Sequence, residues 1–241
     1  MVENLWKVLN SGSQKALSHM ETDGRLLNDL KNQPSPILHF YEWEKPSATY
    51  GYFIKPQKIL NLEAVKKRGL DLARRPTGGG LVFHLSDLAF SILLPSSHEG
   101  FSLNTMNNYA FINEIVSEAI VNFLGKSGSD VSLLKAAPEE SLVEAKFFCM
   151  AKATKYDVML NGLKVGGGAE RLTKYGLLHQ GTIALQLPPD DYLKDVLQSE
   201  EILDCMKKNS HYLLKSCETS MTLQSAKKEM QQLLIDAFST R

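Results

Sequence analysis

The chain has 241 residues and carries 27 Lys and Arg against 27 Asp and Glu, so its formal net charge is zero. That length buries a continuous core and reads as one domain over 1–241, while the charge balance gives no overall field to draw nucleic acid or an anionic membrane. Three sparse cysteines exclude a disulfide framework, no Cys and His cluster has zinc spacing, no apolar run can span a bilayer and no signal peptide pattern opens the chain, so a cytoplasmic globular protein is expected.

Residues 1–31 read as helical, with Trp6, Leu9, Ala16, Met20 and Leu26–Leu27 on one apolar face. Ile37–Trp43 reads as a strand fenced by Pro34, Pro36 and Pro46. A short helix is expected over Leu60–Gly69, with Asn61 as its N-cap and Gly69 as its stop. Leu72–Arg75 leads into a glycine turn, and Gly80–Pro95 holds one or two strands. Asn104–Leu124 has the clearest helical stripe and ends at Gly125. The span from Lys126 to Lys146 reads as a loop. Tyr156–Leu160 and Leu163–Val165 read as two strands joined by Asn161-Gly162, a two-residue hairpin signal. Leu177–Leu185 is a further strand, and Asp190–Arg241 is mostly helical. The pattern is that of one α/β domain.

Two glycine triplets carry the functional signal. Arg74-Arg75-Pro76-Thr77 precedes Gly78-Gly79-Gly80, and Lys164-Val165 precedes Gly166-Gly167-Gly168. Three glycines in strand-like sequence lose backbone entropy and pack no side chain, so they imply backbone lying close against something bulky. No Gly-Lys-Ser/Thr follows the first triplet, which excludes a P-loop. Leu81-Val82-Phe83 continues as a strand where a dinucleotide fingerprint would open a helix. The flanking cations favour one pocket for an extended ligand with an anionic end. A glycine-rich hairpin without a ligand is the alternative.

These motifs, with His84 and with His179-Gln180-Gly181-Thr182, resemble the substrate loops of the biotin/lipoate protein ligase superfamily, above all its lipoate–protein ligase and octanoyltransferase branch. The resemblance runs from Trp6 through Leu185. It implies a class II synthetase-like α/β (α+β) catalytic domain, with a mixed, mainly antiparallel sheet flanked by helices. The chain departs from the family pattern in His84-Leu85-Ser86-Asp87-Leu88, where His-Asp and Gly-Asn are usual, and in the unbroken glycines 166–168, where a serine is usual.

The resemblance also assigns roles. Lys164 is the catalytic cation, and Arg74, Arg75, Lys164 and Asp157 hold an adenylate from ATP, with Asp157 on Mg²⁺. Arg75, Gly78, Gly79, Gly80, His84, Gly167, Gly168 and His179 bind the acyl substrate. Cys149 stands at the spacing from Lys164 where some octanoyltransferases carry a nucleophile, with Lys146, Lys152 and Lys155 nearby. The leading expectation is an ATP-dependent ligase that activates lipoate and passes it to a lysine of a lipoyl carrier domain of a 2-oxoacid dehydrogenase or glycine-cleavage protein. A transferase that takes lipoic or octanoic acid from a thioester, through Cys149, is the alternative. A diverged, non-catalytic acyl-binding protein is a third. No C-terminal accessory domain is expected within 1–241, which leaves room for a separate accessory subunit.

Overall fold

The computed structural model describes residues 6–125, 130–136, 148–215, 217 and 221–241. Most of the loop expected over 126–146, Lys146 included, lies outside the described residues.

A seven-stranded sheet forms the body. Its strands are β1 (Lys7–Gln14), β2 (Ile37–Trp43), β6 (Asp87–Pro95), β7 (Val131–Leu133), β8 (Val158–Leu160), β9 (Leu163–Thr173) and β10 (Gly176–Ala184), in the order β1-β2-β6-β10-β9-β8-β7. Only β1 and β2 pair in parallel; every other pair in this sheet is antiparallel. A second sheet of three short strands, β3 (Ser47–Tyr50), β4 (Asp71–Arg74) and β5 (Leu81–His84), has the order β4-β3-β5. This is the mixed, mainly antiparallel architecture with flanking helices that the sequence implies.

Both central strands are buried at every position, β6 and β10 alike. A sheet covered on two faces needs apolar residues on both, which is why Asp87–Pro95 reads as a run and not as an alternation. Ile92 and Leu94 face the main core with α3 (Thr105–Leu124) and α6 (Leu223–Ser239). Leu93 points the other way, onto Leu27 and Leu30 at the end of α1 (Ala16–Asp29). The caps follow the sequence signals. Asn104 accepts from Met106 N at 2.9 Å and Thr222 from Ser225 N at 3.2 Å. Asn61 caps α2 (Leu62–Lys67) by accepting from Ala64 N. The N-terminus of α1 has no cap of its own; Asp71 of β4 accepts from Ala16 N at 2.8 Å instead. Two further helices, α4 (Asp190–Val196) and α5 (Glu200–Asn209), cover the small sheet.

Three expectations change. The N-terminal segment is not one helix, because Lys7–Gln14 is an edge strand paired on β2. The apolar residues assigned to one face serve two: Trp6 meets His98 edge to face and lies tilted against Phe238, while Ala16 and Met20 pack against Tyr41, Ala73 and Ala89. Pairing with β2 outweighs a weak helical pattern. Tyr156 and Asp157 sit in a turn before β8, since Asp157 accepts from the backbone and hydroxyl of Thr154 three residues back. The strand after Asn161-Gly162 runs on through all three glycines to Thr173. The hairpin itself is as expected, with φ of 52° and 75° at its two central residues.

Leu234 is wholly buried between α6 and the main core. Leu234→Ala should destabilise the protein by about 2–5 kcal/mol, because the fixed sheet cannot collapse into the void. Chemical denaturation checks this, and a change below about 1 kcal/mol would contradict the packing described.

Candidate functional site

A cleft lies between the two sheets. The small sheet contributes Thr49, Val82 and His84; the large sheet contributes Lys164, Gly167 to Ala169 and Gln180 to Thr182. Met20 of α1, Tyr41 of β2, Arg75, Cys149 and Met150 complete the lining.

Lys164 is almost wholly buried, not a solvated strand lysine. Its ammonium pairs with Asp157 Oδ2 at 2.7 Å and donates to the Cys149 carbonyl at 2.8 Å. The Asp157 carboxylate also accepts from Tyr109 Oη at 2.5 Å and from Thr154 N at 2.6 Å. Burial holds the Tyr109 hydroxyl well above its usual titration, and the Asp157 charge adds to the shift, so Tyr109 remains a donor. The same hydroxyl accepts from Gly168 N at 2.8 Å, which ties α3 to the second triplet.

Cys149 lies at the other end of the Lys164 ammonium. Its backbone N–H donates to Leu81 O at 3.1 Å, pinning it beside β5. Its Sγ accepts the Gly80 N–H at 3.1 Å, and the Arg75 guanidinium is 3.9 Å away. The sulfur therefore sits against the first glycine triplet with a backbone donor aimed at it.

Arg75 does not present an open fork to a ligand. Its two terminal nitrogens donate to Thr49 O, Thr49 Oγ1, Gly78 O and Gly80 O at 2.7–3.0 Å. Five residues after Arg75, the chain has turned back onto its own guanidinium, with Gly79 at φ 81°. Arg75 thus shapes the loop. Arg74 stands outside the cleft, with its guanidinium 4.7 Å over the Tyr52 ring.

His84 reaches the cleft and forms a relay. Its Nε2 meets Thr49 Oγ1 at 2.8 Å and its Nδ1 meets Asp87 Oδ2 at 2.7 Å. Thr182 donates to the same Asp87 oxygen at 2.5 Å. Burial opposes the Asp87 charge, yet His84 and these hydrogen bonds bring its carboxyl below the usual carboxylate value. His84 and Asp87 are separated by Leu85 and Ser86, and the turn between β5 and β6 brings them together. His179 lies behind the wall: it meets Glu170 Oε1 at 3.1 Å, stacks on Phe90 and lies tilted against Tyr109.

The glycines accommodate the protein as much as a ligand. A Cβ at Gly167 would strike the Asp157 carboxylate, and one at Gly168 would strike the His179 ring. Gly51, which the sequence did not single out, is pressed on the carbonyls of Gly78 and Gly79. Sequence reading also passed over a buried polar chain. Thr77 donates to Gln180 at 2.7 Å, Gln180 to Asp23 at 2.6 Å, and Asp23 meets both Ser91 and His39 at 2.7–2.8 Å. Its members are far apart in sequence and no local spacing announces them.

The Mg²⁺ expected at Asp157 does not fit the residues present. Both carboxylate oxygens are already engaged, and the nearest charge is an ammonium. A hard cation wants free carboxylate or water oxygens. Among the described residues no group of three His, Cys, Asp or Glu is placed to hold a metal. The phosphate fork expected of Arg75 meets the same obstacle, because its terminal nitrogens are spent on the loop.

Lys164 with Gly167 and Gly168 of the second triplet faces the cleft, whereas Gly78, Gly79 and Gly80, expected at the substrate, are not among its lining residues, and comparison with known proteins supplies the class. Residues 15–239 match the family described as lipoyl protein ligase A/B catalytic domain, and the chain belongs to that family of enzymes. It is 30% identical over 209 residues to the octanoyltransferase LipM of Lysinibacillus sphaericus, covering 84% of this chain and 74% of that protein. The LipM octanoyltransferase of Bacillus subtilis is 30% identical over 213 residues, or 87% and 76% of the two chains. A Thermoplasma acidophilum protein, Ta0514, solved with bound lipoic acid, superposes with a TM-score of 0.66 at 24% identity over 98% of this chain and 85% of its own. Lipoate-protein ligase A solved with ATP superposes with a TM-score of 0.65 at 23% identity over 99% and 85%. These two likenesses are of fold. No helix among the described residues is long and apolar enough to cross a membrane.

Gly51→Ala should displace the glycine loop, since the added methyl meets backbone that no rotamer can move. Acyl-transfer activity should fall at least about tenfold, while overpacking costs about 1–3 kcal/mol of stability and leaves cooperative unfolding intact. Wild-type activity in this variant would contradict the contact.

Proposed function

We propose that the protein is an acyltransferase that takes an octanoyl or lipoyl group from a thioester onto Cys149 and passes it to a lysine of a carrier domain. One observation carries this reading: Cys149 Sγ faces the cleft with the Gly80 N–H aimed at it, while the buried Lys164 ammonium is fixed on the carbonyl of the same residue. The names of the LipM relatives support it.

In the first step Cys149 Sγ attacks the carbonyl carbon of the donor thioester. A new carbon–sulfur bond forms, the donor's carbon–sulfur bond breaks, and the donor leaves as a thiol with the proton that Cys149 gave up. In the second step the neutral amine of the carrier lysine attacks the Cys149 thioester. The amide forms, Cys149 departs and regains its thiol proton from the amine. Splitting the transfer in this way suits a thiolate, which is both a good nucleophile and a good leaving group. The Gly80 N–H stabilises the negative charge on the Cys149 sulfur, and the Lys164 ammonium beside Cys149 supplies fixed positive charge near the carbonyl as it gains negative charge. Val82, Met150 and Ala169 give the apolar lining that an acyl chain needs.

A ligase would bind ATP and a metal. The side chains that the sequence offers for them, Arg75 and Asp157, are engaged within the protein, so the transferase reading uses the residues as they stand.

Cys149→Ser should lose at least about a hundredfold in transfer from an octanoyl thioester to a carrier domain without ATP, because an unactivated hydroxyl is a weak nucleophile. Lys164→Ala alone would leave Asp157 buried and unpaired, at a cost of about 3–5 kcal/mol. The double variant Lys164→Met with Asp157→Asn removes both charges, and its transfer rate should still fall about a hundredfold or more. ATP-dependent transfer that survives in Cys149→Ser would support the ligase instead.

A further inference from the structure

We propose that the rim of the cleft is a docking surface for the acceptor carrier domain, and that it selects a domain with carboxylates around its target lysine. This rests on the transfer reading above, which requires a protein lysine to reach Cys149.

The first observation is position. The turn after β3 rests directly on the glycine loop: Gly51 N donates to Gly80 O at 3.2 Å and Tyr52 N to Thr77 O at 3.0 Å. Cys149 lies against the same loop, its Sγ accepting from Gly80 N at 3.1 Å, and the turn after it is held by the catalytic lysine, whose ammonium lies 3.4 Å from the Lys152 carbonyl. A body seated on these two turns lies beside Cys149, which lines the cleft. A lysine side chain reaches only a few ångströms, so its carrier must sit there.

The second observation is apolar exposure. Phe53 is 87% exposed and Tyr52 is 50% exposed, and the two rings meet edge to face at 5.2 Å. Two adjacent aromatics held out into solvent beside an active site fit the anchor of a protein interface.

The third observation is charge. The chain is neutral overall, but residues 45–75 hold Lys45, Lys55, Lys58, Lys66, Lys67, Arg68 and Arg74 against only Glu63 and Asp71, with Arg75 buried and spent on the glycine loop. Asp71 is engaged by the α1 N-terminus, and Arg68 is paired with Asp191 and Asp195. The turn after Cys149 adds Lys152 and Lys155 with no acid between 148 and 156. On each turn a cation lies over an aromatic ring, Arg74 over Tyr52 and Lys155 over Tyr156, both at 4.7 Å. Exposed aromatics with an excess of positive charge attract a partner of the opposite sign and orient it.

The test uses the full chain and an apo lipoyl domain with acidic residues beside its acceptor lysine. Affinity is measured by calorimetry, which needs no chemistry, and self-acylation by an octanoyl thioester of a small thiol is followed in parallel. Phe53→Ser with Lys55→Glu and Lys58→Glu should weaken carrier binding at least about tenfold and flatten its salt dependence. Self-acylation of this variant should match wild type. Replacing the carrier's acidic residues by lysine should restore affinity to the variant. Equal affinity of wild type and variant, or binding that ignores salt, would overturn the docking surface. If wild type binds the carrier as described but does not acylate itself, the docking stands and the transfer reading fails.

Discussion

A buried lysine must have a partner, and the pair Lys164–Asp157 is the constraint around which this site is built. Taking an ammonium and a carboxylate out of water costs several kcal/mol each, which only close contact and a full set of hydrogen bonds can offset. The protein supplies that set from four directions: Tyr109 from α3, Thr154 from the turn before β8, and the carbonyl of Cys149 on the far side of the ammonium, with Lys164 itself on β9. Meeting the pair's hydrogen-bond demand therefore also fixes Cys149. Gly167 is glycine because a side chain there would occupy the space of the Asp157 carboxylate. Gly168 is glycine because His179 lies against it. The second triplet is thus the mould of an ion pair and a ring, with the cleft on its other side.

The first triplet follows a matching logic. Its carbonyls converge on the Arg75 guanidinium, its Gly80 N–H points at sulfur, and Gly51 lets the neighbouring strand press on it. Thr77 then anchors the loop to Gln180 and so to the buried Asp23 and His39. Arg75 and Lys164 are both cations whose charge is used first to organise the backbone around Cys149. Preorganised donors of this kind need not move when charge develops, which is the condition for effective electrostatic stabilisation.

Much of this was legible in the sequence. The glycine triplets, Lys164, Cys149 and the Asn161-Gly162 hairpin all carry local signals, and the structure brings Arg75, His84, Cys149, Lys164, Gly167 and Gly168 to one cleft. What could not be read was pairing across long separations. Nothing near Asp157 tells that its carboxylate is spent on Tyr109, 48 residues away, so a metal site looked reasonable. Nothing near Gly51 tells that Gly79 will lie on it. The strand at Lys7–Gln14 has no strong apolar pattern of its own, because an edge strand exposes most of its side chains and owes its place to β2. Local composition encodes elements and turns; side-chain commitments depend on the assembled fold.

The central claim is that Cys149 carries the acyl group between donor and acceptor. Peptide mass spectrometry of the wild-type chain, after incubation with an octanoyl thioester and without ATP or carrier, tests it most directly. The account predicts one octanoyl group on the peptide that contains Cys149, released by hydroxylamine and by addition of a carrier domain. An unmodified Cys149 under these conditions, together with carrier acylation that requires ATP, would contradict it.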